Sequence, residues 1–382
     1  MKTNRKIIYL AGFLFSIPIA LVSYLNSSFL KTFVGEDYIG ALYIIASILT
    51  IGGFLKMPKV LNRLGNQAVS FWLSFSILIS LILLAFCHNE FTAIFAFFIY
   101  FVASNLIIAS LDIFIEDFSK SSSVGKFRGI YLTIINSAWV IAQMVSGSII
   151  NKSSFRGVYL FSAFFMILVA IIFILFLHNF KDPKYKKVSI KKTLLFFTEN
   201  IHASKIYFIN FILKFFYVWM IIYSPIYLNE YLHFSWSEIG IVFTIMLLPF
   251  VLVDYPLGKM SDKIGEKKML IWGFFIASFF TLLIPLISGK ELWLWALILF
   301  GTRTGAGIIE IMSESYFFKI VNAENDSAIS FFRNNYPLAY VLAPLLAIPT
   351  LLLVPSFSYL FYILGAILLI GLLISLRLQD VK

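Results

Sequence analysis

Residues 158–205 read VYLFSAFFMILVAIIFILFL and then HNFKDPKYKKVSIKKTLLFFTENIHASK, and the contrast between the two parts decides the fold class. The first part carries no charge, and about 20 predominantly apolar residues are what a helix needs to span the hydrocarbon of a bilayer. The second holds seven lysines and cannot enter lipid. Working outward from it, apolar stretches at 7–25, 38–55, 68–87, 91–113, 129–150 and 158–177 precede the linker 178–205. Further stretches at 206–228, 236–257, 269–288, 292–311, 332–354 and 357–376 follow it. The expectation is an all-α membrane protein of twelve transmembrane helices in two pseudo-symmetric six-helix bundles, 1–177 and 206–382.

Composition agrees with that reading. A chain that is 60% hydrophobic and 13% charged lacks the polar surface of a water-soluble globule of this length. The net charge of +11 would fit a nucleic-acid binder, but the placement of the basic residues argues against one. With the N-terminus inside, 24 of the 30 Lys and Arg fall in inward segments, 4 in outward segments, and 2, Lys214 and Arg303, within spans. The bias sets both termini in the cytoplasm of a multi-pass cell-membrane protein, so the lipid bilayer is the partner and no nucleic acid is expected. Cys87 is the only cysteine, which excludes an intramolecular disulfide and a multi-Cys metal site.

The two halves repeat in register. At an offset of 200, Ile39-Gly40 falls on Ile239-Gly240, Lys59 on Lys259, and Asn62-Arg63-Leu64-Gly65 on Asp262-Lys263-Ile264-Gly265. Parallel repeats of this kind place a substrate site near the membrane midplane.

The segment Gly258-Lys259-Met260-Ser261-Asp262-Lys263-Ile264-Gly265-Glu266-Lys267-Lys268 resembles the G-x-L-a-D-r-x-G-r-k loop of the major facilitator superfamily, which in the second half joins helices 8 and 9. Gly258, Asp262, Lys263, Gly265 and Lys267 match, and Glu266 stands in place of a base. The first-half copy keeps only Arg63 and Gly65, with Pro58 for the first Gly and Asn62 for the Asp. The resemblance implies alternating access, a cavity lined by helices 1, 4, 7 and 10, and a conformational latch formed by Gly258, Asp262, Lys263, Gly265, Arg63 and Gly65. In that latch Asp262 would engage a helix end near Arg333. The Gly-Pro antiporter pattern of the fifth helix is absent, with Ala142-Gln143 at that place, and the fourth lacks a mid-span Arg, with Asn105 its nearest polar residue.

Ionisable side chains inside spans are the remaining pointers, because a charge at the bilayer centre costs about 2.5 to 3.5 kcal/mol on insertion scales and faces a polar cavity. Lys214 lies about 12 Å and Arg303 about 16 Å along their helices, too deep to snorkel easily. Asn210, Lys214 and Tyr217 share one face of the seventh span, Arg303 and Glu310 one face of the tenth, and Asn136, Trp139 and Gln143 form a stripe on the fifth. The candidate substrate-binding set is therefore Lys214, Arg303, Asn210, Tyr217, Asn105, Asn136 and Gln143, the alternative for each being an interhelical hydrogen bond or ion pair. Asp112 and Glu116 align with Glu310 and Glu314 at an offset of 198. Such acids either pair with basic loop residues or couple transport to protons, through Glu310 or Asp112. With few acids at the depth of Lys214 and Arg303, the pair is expected to lend the cavity positive charge and favour a solute with an anionic group.

The function expected is secondary active transport of a small polar solute, with proton or other ion coupling. Rival readings are a lipid flippase on the same fold and a membrane-embedded lipid-modifying enzyme. The latter needs clustered acids or His, and His88, His178, His202 and His233 are scattered over span ends and loops. No cofactor or metal is expected, and no phosphate-binding glycine loop appears.

Overall fold

A computed structural model of the chain describes residues 2–118, 124–177, 180, 182, 185, 196–252, 264–321 and 331–379, with side chains for residues 6–114 and from 130 onward within those ranges. Among the described residues there is no β-strand, and ten helical segments are long and apolar enough to cross a membrane. The chain order is α1 (Lys2–Ser23), α2 (Asn26–Val34), α3 (Ile39–Leu64), α4 (Asn66–Phe86), α5 (Glu90–Phe118) and α6 (Val124–Phe176). It continues with α7 (Ile201–Ile226), α8 (Trp236–Leu247), α9 (Glu266–Leu283), α10 (Leu292–Ile320), α11 (Asn335–Leu353) and α12 (Tyr359–Leu376).

Helix boundaries follow from local chemistry. Asn89 accepts the backbone N–H of Thr92 at 2.9 Å ahead of α5, and Asn200 accepts those of His202 and Ala203, both at 3.1 Å, ahead of α7. Each thereby satisfies donors that a helix start leaves open. Gly65 and Gly265 cap α4 and α9 with φ of 79° and 88° and ψ of 157° and 146°. Only glycine occupies that region at no steric cost, which is why the repeated Gly stands where the chain turns into the next helix.

Two expected spans take unexpected forms. The fifth and sixth belong to one 53-residue helical run, broken at Ser154, whose φ of 57° and ψ of −169° are not helical. The eighth, expected over 236–257, ends as a regular helix at Leu247, and a short turn, Pro249–Leu252, follows. Proline removes a helix hydrogen bond and clashes with the preceding turn, so the break falls at Leu248, just before Pro249. With the arms of α6 taken separately and the shorter α8 segment added, the apolar helical segments among the described residues number twelve.

The chain divides into two compact units, Met1–Lys186 with Trp236–Ile241, and Lys187–Ser235 with Val242–Lys382. In the first, α1 packs on α5 and α6, α4 on α5 and α6, and α3 on α5. The second unit is built on α7, which packs against α10, α11 and α12, while α9 packs on α10 and α12. Close approach of α9 and α10 depends on glycine: a Cβ at Gly305 would lie 2.4 Å from the Ala277 nitrogen and 2.6 Å from the Gly273 carbonyl oxygen. The large apolar residues left exposed, among them Trp72, Phe95, Phe164, Leu175, Trp272 and Leu297, form the outward surface a bilayer requires.

Candidate functional site

The seventh and tenth helices meet in the second unit through their polar faces. On α7, Asn210, Lys214 and Tyr217 follow one another at helical spacing, and on α10 Arg303, Glu310 and Ser313 do the same. Lys214 Nζ donates to Glu310 Oε1 at 2.6 Å, and Tyr217 OH donates to Oε2 at 3.0 Å. Both carboxylate oxygens of Glu310 are therefore engaged by α7. The expected scarcity of acids near Lys214 does not hold, because Glu310 reaches its depth.

Arg303 lies over the ring of the same tyrosine. Its guanidinium sits 5.0 Å from the Tyr217 ring centre and 5.2 Å from that of Phe216, and the residue is only 2% exposed. The Lys214 and Glu310 side chains are 15% and 34% exposed. Exposure decides which groups a solute can meet: Glu310 and Lys214 present polar atoms, whereas Arg303 is enclosed by aromatic faces that hold a cation. Among the described residues the cluster brings two cations and one carboxylate together around Tyr217.

A second polar layer continues from it. Asn210 donates to Ser313 Oγ at 3.2 Å, Ser313 Oγ donates to the Glu310 carbonyl at 3.1 Å, and Asn335 of α11 donates to Asn210 Oδ1 at 3.1 Å and to the Tyr207 carbonyl at 3.3 Å. Asn335 was not among the sequence candidates. Its signal was a polar residue near the start of the eleventh span, a position that reads as a span end until α11 is seen to pack on α7.

The candidates of the first unit lie on α5 and α6. Gln143 is 2% exposed and donates to the Ala20 carbonyl at 2.6 Å, tying α6 to α1, and Asn105 donates to the Phe101 carbonyl of its own helix at 2.8 Å. Asn136 and Asp112 are half-buried, on α6 and α5. Beside Asn136, Trp139 meets the Tyr24 ring edge-on with centres 6.5 Å apart. A buried pair the sequence reading missed, Tyr159 OH donating to Asn26 Oδ1 at 2.9 Å, joins α6 to α2.

Of the latch residues, Gly258, Asp262 and Lys263 lie outside the described residues. Arg63 is exposed, and Gly65 and Gly265 cap their helices. Neighbouring acids pair with bases: Arg333 Nη1 meets Glu314 Oε1 at 2.6 Å, and Lys319 Nζ meets Glu266 Oε1 at 2.5 Å, where Ser315 Oγ also donates at 3.0 Å. Glu266, a departure from the loop pattern, is thus the residue that ties its loop to α10. Among the described residues no group of three or more His, Cys, Asp or Glu is placed to hold a metal ion.

The pattern described as the Major Facilitator Superfamily matches residues 8–226 and again 206–382. A curated relative, an uncharacterized MFS-type transporter of Methanocaldococcus jannaschii, is 27% identical over 194 residues, which are 50% of this chain and 48% of that protein. The match therefore spans about half the length of that relative. Among solved structures, the crystal structure of a POT family transporter in complex with 5-aminolevulinic acid superposes with a TM-score of 0.77, covering 98% of this chain and 95% of that one at 13% identity.

Proposed function

Because this chain belongs to the Major Facilitator Superfamily, matched along almost its whole length, we propose that it is a secondary active transporter moving a small polar solute with an anionic group by alternating access. The observation that carries the reading is the 2.6 Å contact between Lys214 and a Glu310 that stays 34% exposed. A lysine held inside the membrane needs one anion beside it, and either Glu310 or an anionic group of the solute can fill that role. If the solute displaces Glu310 while Glu310 takes up a proton, the charge around Lys214 is unchanged. Solute anion and proton then enter the site together. Among the described residues, the charged and titratable groups facing Glu310 are Lys214 and Tyr217 from α7, with Arg303 over the Tyr217 ring. Asp112, its counterpart by repeat position, is the second coupling candidate. Asn210, Ser313 and Asn335 hold α7, α10 and α11 in the register that keeps Lys214 against Glu310.

The same reading has both termini on the cytoplasmic side of the cell membrane, supported by the excess of Lys and Arg in alternate loops. Uptake and counterflow of labelled carboxylates, with 5-aminolevulinic acid in the panel, test the proposal in proteoliposomes under an imposed pH gradient. Glu310→Gln, which mimics the protonated acid, should lose acceleration by the gradient but keep exchange, and Lys214→Gln should lose both by tenfold or more. Wild-type behaviour of both folded variants would overturn the assignment.

A further inference from the structure

We propose that Phe180, Asp182 and Tyr185 form a strap that fastens the start of the linker to the loop between α3 and α4, with Asp182 supplying the carboxylate that this loop lacks. The two repeated loops solve the same problem differently. After Gly265, Glu266 carries its own charge into α10 and meets Lys319 and Ser315. After Gly65, the buried Asn66 makes only neutral bonds with α5, donating to the Ser110 carbonyl at 2.9 Å and accepting from Ser110 Oγ, which also meets Ser70 Oγ at 2.8 Å. The open backbone N–H of Asn66, at the start of α4, is taken by Asp182 Oδ1 at 2.7 Å. A carboxylate there satisfies an orphan donor and complements the positive end of the helix dipole.

Further contacts hold the same segment. Asn62 clasps the Tyr185 backbone in both directions, its Nδ2 donating to the carbonyl at 2.9 Å and its Oδ1 accepting the N–H at 3.3 Å. Tyr185 OH donates to Asp182 Oδ1 at 2.5 Å, and the residue packs on the cluster of Met57, Leu61 and Val69. Phe180 meets the Phe114 ring with centres 4.6 Å apart.

Asn62 therefore has a use of its own. An aspartate in its place would lack the donor for the Tyr185 carbonyl and would add a second carboxylate beside Asp182. Gly65 fits the same account, because a Cβ there would lie 2.7 Å from Asp182 Oδ2. The strap also shortens the tether. Ten residues separate Tyr185 from Phe196, a reach of at most roughly 38 Å, whereas the eighteen that separate Leu177 from Phe196 would reach roughly 66 Å.

The test is tryptic cleavage of the full-length protein in detergent, reading the rate at Lys184, which in sequence stands between Asp182 and Tyr185, against that at Lys192, further along the linker sequence. Asn62→Asp leaves the cleaved sequence unaltered and should raise the Lys184 to Lys192 ratio about tenfold. Asp182→Ala should do the same, and Asn62→Gln should fall between. An unchanged ratio in Asn62→Asp and Asp182→Ala, with elution and melting like the wild type, overturns the strap. So does equal acceleration at both lysines, which marks general loosening.

Discussion

Arg303 and Glu310 stand two turns apart on α10 and meet opposite surroundings. Arg303 is enclosed by Phe216 and Tyr217, and Glu310 is a third exposed beside Lys214. The two should therefore fail differently when changed. A desolvated cation over aromatic faces contributes about 2 kcal/mol, so Arg303→Gln should lower the melting temperature in detergent by several degrees. Glu310→Gln keeps an acceptor for Lys214 and should shift melting by much less, while removing the response to a pH gradient. Paired melting and uptake measurements check this; the opposite pattern would make Arg303 the solute contact and Glu310 the structural residue.

Helix starts at Gly65 and Gly265 carry the clearest prediction for single elements. Their ψ angles, 157° and 146°, lie far from the left-handed helical region that Asn tolerates. Gly65→Ala and Gly65→Asn should accordingly destabilise alike, by about 1 to 3 kcal/mol from backbone strain, as should the same changes at Gly265, and at Gly65 the added Cβ also displaces Asp182. Thermal melting of the four single variants reads it, and rescue by Asn would show that these caps relax into a left-handed turn. The element scale also explains the unequal spans. Hydropathy ends the tenth span at 311, between Glu310 and Glu314, yet α10 runs on to Ile320, where Glu314 finds Arg333 and Lys319 finds Glu266.

Orientation is the property of the whole molecule that the charge distribution addresses. In a Cys87→Ala background, a cysteine replacing Lys186 should resist an impermeant thiol reagent added outside intact cells, and one replacing Lys152 should react. Labelling in the reverse sense would invert the topology. Each of the two compact units is closed by its own contacts: α7 is the packing centre of one, and the bonds of Gln143, Asn66 and Asn26 join helices in the other.

Hydropathy, the alternation of basic loops, the offset between halves and the loop at Gly258 to Lys268 were enough to read an all-α membrane protein of the superfamily, since each is a local property of the chain. Helical spacing also put Asn210, Lys214 and Tyr217 on one face, and Arg303 and Glu310 on another. Which of these meet could not be read, because the rotation and depth of α7 against α10 are set by packing across nearly a hundred residues. That packing turned Glu310 towards Lys214, buried Arg303 against two rings, and brought Asn335 onto Asn210. It also gave a use to Asn62, which as sequence reads only as a lost acid, because the carboxylate that complements it arrives from the linker, 120 residues further along the chain.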